Sequence, residues 1–474
     1  MVGDALATVR ANWLMGREED LDSPRLAGRG APLALGVAAV ALAVAVVANS
    51  VGLPFGLDRL GGLTLGAALA AGLTVLIWPE LALPVIVTAA GLLDSRFGGE
   101  RVRHLVFVKL ALFGCAALGL ALSGLRRPGR FSRVRTPADL PALLLVIYTA
   151  ASAGYGYLVA GHDLNLVAVA GYHLSQVALY HFAVTTSLGK PEAYRRAGVL
   201  IIAWSLLWIV PSLAMSGRGG GTATTWLIVL LCYAVAANAR WRALVWLALP
   251  LALLDTLTSG YRTLWLAVTG QLGWLAGLRG PARRLGAVAA VLLLVGLMGA
   301  VLALSRPGLL QAIPSADTLS RFATSVTDGG YRVPEAAIGL DSFRGSPVFG
   351  RGVGYQTIVR WVETMGYMPV GPIHHVYYIS YLSNEGLVGL MIVLWYFAAA
   401  LLSGPARRLR QQAADHPWAA AGVALQAALF GAVLGAFFAG PSDGHWTWGV
   451  FGAASLLPAM WGERTTMSEH SEQP

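Results

Sequence analysis

The chain has 474 residues, 56% hydrophobic and 12% charged, with a formal net charge of +10. Soluble domains carry about 25% charged residues, so this composition excludes an ordinary soluble enzyme, a disordered chain and a nucleic-acid binder. At roughly 20 apolar residues per span it suits a dozen or more membrane helices, and the basic excess then points to anionic lipid and to orientation.

Residues 1–30 are polar and hold Arg10, Glu18, Glu19 and Asp20 among other charges. That stretch is too long and too acidic for the basic end of a cleavable signal peptide, so 31–53 is expected to be a retained first span. Further apolar runs fall at 60–78, 80–94, 104–125, 140–160, 172–188, 197–215, 223–238, 243–258, 263–278, 286–305, 376–402, 418–440 and 446–461. Pro79–Glu80 alone separates two of them, so 12 to 14 spans are predicted. The expected fold is an all-α polytopic membrane protein. Its parts are a cytoplasmic segment (1–30), an N-terminal helix bundle (31–305), a large outer loop (306–375), C-terminal spans (376–461) and a cytoplasmic tail (462–474).

Orientation follows from where the arginines sit, since Lys109 and Lys190 are the sole lysines. With the N-terminus inside, short inner loops carry groups such as Arg126–Arg135, Arg195–Arg196, Arg283–Arg284 and Arg407–Arg410. Short outer loops carry few beyond Arg59, Arg96, Arg101, Arg103, Arg218 and Arg262. That bias places both termini in the cytoplasm. Residues 306–375 fall outside. A loop of that length is functional or disordered, and Phe322, Phe343, Tyr355 and Trp361 mark it as a folded cap. Internal repeats, the sign of many transporters, are not evident. Cys115 and Cys232 sit in apolar runs without metal-ligand spacing and are expected to be buried as small apolar residues.

Three patterns could carry chemistry. The first is Ser259-Gly260-Tyr261-Arg262, at an outer span boundary, with Asp255 two helical turns earlier. An arginine there is a snorkelling anchor or a functional cation. The second is Arg332, followed 15 residues later by Pro347 and then Gly350, Gly352 and Gly354. Glycines so spaced allow a tight turn or the close approach of backbone to a ligand. The third runs from His374-His375 to Glu385-Gly386-Leu387-Val388-Gly389. On a continuous helix, His375, Tyr378, Leu382, Gly386 and Gly389 share a face, and the two glycines let a neighbouring helix approach closely. Adjacent histidines do not converge on one ion from a helix, so no metal is expected. Tyr172, His173, Gln176, Tyr180 and His181 form a polar strip inside an apolar run. It lines a groove or makes hydrogen bonds between helices. Gly431 and Gly435, with Ala427 and Ala439 at four-residue steps, suggest close helix packing.

The third stretch resembles the histidine motif of the O-antigen ligase and O-antigen polymerase superfamily of membrane glycosyltransferases. That motif has a histidine followed by an aromatic residue and, eleven residues on, Gly-Leu-x-Gly. The spacing selects His375 over His374. Ser259–Arg262 is similar to the family's Ser-Arg pair, and Arg332 with Pro347-x-x-Gly-x-Gly to its long-loop pattern. The resemblance extends to the whole layout. Three departures stand: Val376 in place of asparagine, Gly260-Tyr261 between Ser259 and Arg262, and Pro334 where the family has an amphipathic helix.

The resemblance implies transfer of glycan from undecaprenyl pyrophosphate to an acceptor sugar hydroxyl, at the outer face of a bacterial inner membrane. Arg262 and Arg332 would grip the pyrophosphate, a role suited to a planar, permanently charged guanidinium. His375 would take the proton of the acceptor hydroxyl, a step worth about 10²–10⁴-fold. Tyr378, Gly352 and Gly354 would line the substrate site. Direct displacement implies inversion, and two arginines in place of a divalent cation imply no metal or other cofactor. The expected partners are the lipid-linked donor, the glycan acceptor and membrane lipid, not nucleic acid. Polymerisation of repeat units is favoured. The alternatives are a ligase acting on lipid A core or protein and, from another class, a transporter or flippase.

Overall fold

The computed structural model describes residues 134–189, 332–362, 366–370, 376–412, 417–436 and 445–471, with single positions near 191–194 and 267–274. All lie within one compact unit, 79–474. The spans expected at 31–125, 197–258 and 286–305 lie outside the described residues, as do Lys109, Cys115, Cys232, Arg262 and His375.

Seven helices and one hairpin are described. In chain order they are α1 (Asp139–Leu158), α2 (Leu164–Ser187), α3 (Arg332–Gly345), β1 (Thr357–Val362), β2 (Gly366–Val370), α4 (Tyr377–Leu402), α5 (Gly404–Gln412), α6 (Pro417–Gly435) and α7 (His445–Ser471). The apolar runs at 140–160, 376–402 and 418–440 match α1, α4 and α6 closely. The hairpin departs from the all-α expectation. Its strands pair antiparallel from Thr357↔Val370 to Val362↔Gly366, with an irregularity between Arg360 and Val362. Ile358, Val359, Trp361 and Val362 are β-branched or aromatic, the types that favour a pleated surface. Pro369 is tolerated because both strands of a two-stranded ribbon are edges.

Two stretches, Asp139–Leu158 and Tyr377–Gln412, are long and apolar enough to cross a membrane. Twenty residues at 1.5 Å per residue reach about 30 Å, the thickness of the hydrocarbon core. Each also presents apolar side chains outward: Leu140, Leu143 and Ile147 on α1, and Leu387, Met391, Leu394 and Trp395 on α4. These spacings of three, four, seven and eight are single faces.

α2 begins eight residues before the apolar run that predicted it, because Asp163 caps it: its carboxylate accepts from the Asn165 and Leu166 backbone amides at 2.9 and 3.1 Å. α2 packs on α1 and α7, and α7 also packs on α6. Small residues make the crossings close. A side chain on Gly449 would overlap the Val177 carbonyl, and one on Gly452 would press on the Tyr396 ring. Gly431 lies as close to Ala267 and Gln271, in keeping with the packing expected of it. α5 turns Ala406 and Leu409 inward, while Arg410 Nη1 donates to the Leu401 carbonyl at 2.6 Å and to Gln426 Oε1 at 3.2 Å. A cation satisfying the last carbonyls of a helix is a favoured arrangement.

Candidate functional site

α4 is not a continuous helix. At Gly386 the backbone takes φ 67° and ψ −162°, a region open essentially to glycine alone. The shared face expected for residues 375–389 therefore does not form, and Gly386 meets a loop in place of a neighbouring helix. Breaking a helix strands its carbonyls and amides, and burial makes each stranded group costly. The loop after α3 supplies the partners. Arg351 and Gly352 donate their backbone N–H groups to the Ser383 and Asn384 carbonyls at 2.9 and 3.0 Å. The Pro347 and Val348 carbonyls accept from the Leu387 and Val388 amides at 2.9 and 3.2 Å. The loop's main chain thus completes hydrogen bonding on both sides of the break.

Such an approach needs absent side chains. Gly350, Gly352 and Gly354 adopt φ of 73°, 87° and 93°. A Cβ on Gly386 would overlap the Val348 carbonyl and the Gly350 amide, and one on Gly350 would overlap Asn384. Inside the loop, Ser346 Oγ donates to the Gly350 carbonyl at 2.6 Å, and the Gly350 amide donates to the Ser346 carbonyl at 3.0 Å.

Buried Asn384 ties the parts together. Its Oδ1 accepts from the Gly354 amide at 3.2 Å, and its Nδ2 donates to the Ser380 carbonyl at 2.8 Å. From α1, Ser152 Oγ donates to the Asn384 carbonyl at 3.3 Å and the Tyr148 hydroxyl to the Glu385 carbonyl at 2.9 Å. The Ser152 carbonyl in turn accepts from the Val353 amide at 3.3 Å. The Glu385 carboxyl is fully buried beside Thr149 and faces Gly389. Neither of its oxygens completes a hydrogen bond among the described residues.

Gly352 and Gly354 approach protein here: Gly352 lies against Tyr155 and Gly156, and Gly354 against Val167. Tyr378 is buried, with its hydroxyl donating to the Val433 carbonyl at 2.8 Å and its ring stacked on Trp448. Arg332 opens α3, and its side chain is outside the described part. Pro334, a departure from the family pattern, falls in the first turn of α3, where a missing N–H costs little. α4 starts two residues after His375. The loop Pro347–Gly354 and the Glu385–Gly389 stretch, two separate motifs in the sequence, are packed together.

Asn384 and the break itself were not found from the sequence. The available signal was Asn384-Glu385-Gly386, three poor candidates for the interior of an apolar span. A second polar cluster gathers around His181 of the α2 polar strip, with partners that the sequence did not reveal. His181 Nε2 donates to Asp139 Oδ1 at 2.9 Å, and its Nδ1 lies 3.1 Å from the Tyr396 hydroxyl. Thr136 adds its hydroxyl to Asp139 at 2.7 Å. The Tyr377 and Tyr381 hydroxyls donate to the His173 and Leu174 carbonyls at 3.0 and 2.8 Å, so α2 is bonded to α4 through its backbone here and through the His181 side chain.

No protein-family model matches the chain, and no curated protein matches it.

Proposed function

We propose that this chain is a polytopic membrane glycosyltransferase of the O-antigen ligase and polymerase kind. It transfers glycan from undecaprenyl pyrophosphate to an acceptor sugar hydroxyl, with inversion and without a metal, at the outer face of a bacterial inner membrane. The observation that carries the reading is the clamp between Pro347–Gly354 and Ser383–Val388. It joins the long-loop pattern to the histidine pattern, as a site assembled from both requires. In this reading Arg262 and Arg332 hold the pyrophosphate and stabilise charge as the glycosidic bond breaks. His375, two residues before α4, removes the hydroxyl proton. The glycines at 352 and 354 then serve the site by letting the loop seat on α1 and α2, and Tyr378 by fixing the first turn of α4.

Polymerisation of repeat units is the favoured form. Purified protein incubated with one lipid-linked repeat unit should give a ladder of lengthened lipid-linked products. Transfer confined to a separate acceptor would make it a ligase. Activity should survive excess EDTA and be lost in His375→Ala with folding and donor binding retained. Full transfer by that variant would remove the role given to His375.

A transporter is the second reading, because a broken apolar helix with a buried carboxyl, Glu385, is what substrate and ion pathways use. Translocation of labelled lipid-linked glycan in proteoliposomes that Glu385→Gln abolishes, with no change in glycan length, would favour it.

A further inference from the structure

The loop that clamps α4 also carries a guanidinium to the surface. Arg351 is exposed, and its head group lies against Gly345. Its Nε donates to the Ser342 carbonyl at 3.4 Å, and its Cζ sits 5.8 Å from the centre of the Tyr355 ring. It makes no ion pair among the described residues. The backbone beneath it is fixed, since its own amide is bonded to Ser383. A cation so placed is preorganised: little side-chain freedom remains to be lost on binding.

Its neighbours are rings. Tyr355 faces His162 with centroids 5.9 Å apart, and half-exposed Tyr155 lies against Gly352. His162 Nδ1 donates to the Val353 carbonyl at 3.1 Å, and in that tautomer Nε2 is an acceptor. The set therefore offers one forked cation, aromatic surface and one acceptor.

We infer that Arg351, Tyr355, Tyr155 and His162 form a binding site for an acidic saccharide, one bearing a ring carboxylate as a uronic acid does. The inference rests on the glycan-transfer reading and names the acceptor's chemistry. A carboxylate matches the guanidinium fork with two parallel hydrogen bonds. The apolar C–H face of a pyranose lies on an aromatic ring, and a hydroxyl donates to His162 Nε2. The site is less suited to a phosphate. The adjacent N-terminus of α2 already spends its Asn165 and Leu166 amides on Asp163, and exposed Asp341 and Arg344 on the last turn of α3 offset each other in charge.

The test is titration of the purified full chain in detergent with a glucuronate tetrasaccharide, a neutral glucose tetrasaccharide and inorganic phosphate, followed by calorimetry. The acidic sugar should bind, and the neutral one more weakly by about tenfold, the equivalent of losing one charge-assisted pair. Arg351→Gln should weaken the acidic sugar by about tenfold, Arg351→Lys by less, and Tyr355→Leu should weaken both sugars. Equal binding of the two sugars, an unchanged titration in Arg351→Gln, or displacement of the sugar by equimolar phosphate would each overturn the site. Matching thermal melts of Arg351→Gln and the parent exclude misfolding. Transfer that needs His375 but ignores Arg351 sinks this site and leaves the transferase. Arg351-dependent binding without any transfer does the reverse.

Discussion

At residues 383–388, α4 is held mainly by main-chain hydrogen bonds from a loop; at Tyr396 its hydroxyl meets His181, which Asp139 holds in turn, and the Gly449 carbonyl. Both ends tie α4 to α1 and α2, but they respond to different changes. The loop end depends first on what is absent, namely Cβ atoms, with the Asn384 amide as its buried side-chain tie. The Tyr396 end depends first on a complete chain of side-chain donors and acceptors. A buried network is strong when every member is satisfied and weak when one is removed.

The contrast can be broken by substitution. The largest effect is expected at Gly386→Val. It forces a branched residue into a glycine-only backbone region, about 1–3 kcal/mol, and drives its Cβ into the Val348 carbonyl, adding about 1–3 kcal/mol of overpacking. Chemical unfolding in detergent should show little folded protein. Next is His181→Ala, which leaves Asp139 and Tyr396 without this partner. A loss of about 1–3 kcal/mol is expected, with His181→Gln losing less, both read from thermal melts. Asn384→Ala leaves the Gly354 amide without its acceptor and should cost about 1–2 kcal/mol; Asn384→Asp keeps that acceptor. Last, Leu143→Ala on the outward face of α1 should fall within about 0.5 kcal/mol. An equal or larger loss there than at Asn384 would mean that this face packs on protein and not on lipid.

Much of the helical layout was legible. Length and apolar content predicted α1, α4 and α6, and among the described residues their boundaries agree within a few residues at most ends. The start of α2 was missed although Asp163 stands at an N-cap position and 164–170 is apolar apart from Asn165, because the polar residues Tyr172, His173 and Gln176 interrupt the run. The hairpin was missed because the loop was read as a folded cap with no elements assigned inside it, although Ile358-Val359-Arg360-Trp361-Val362 has strand composition. The glycines at 350, 352 and 354 were expected to turn tightly or approach a ligand, and what they approach among the described residues is protein. What approaches Gly352 and Gly354 comes from more than a hundred residues away in sequence, at Tyr155 and Val167, and what approaches Gly350 comes from Asn384. Gly386 carries the plainest lesson. The same small residue serves a helix crossing or a helix break, and spacing alone does not separate the two.

The break in α4 also has a place in the order of events during synthesis. α1 and α2 emerge first and bring Ser152 and Tyr148 into position. The loop from Pro347 to Gly354 follows, and residues 377–402 come after it. Until loop and helix meet, the stretch around Gly386 has no partner for its stranded groups other than its own helical ones. A segment inserted before docking would therefore be an unbroken helix that opens at Gly386 only when the loop seats on it.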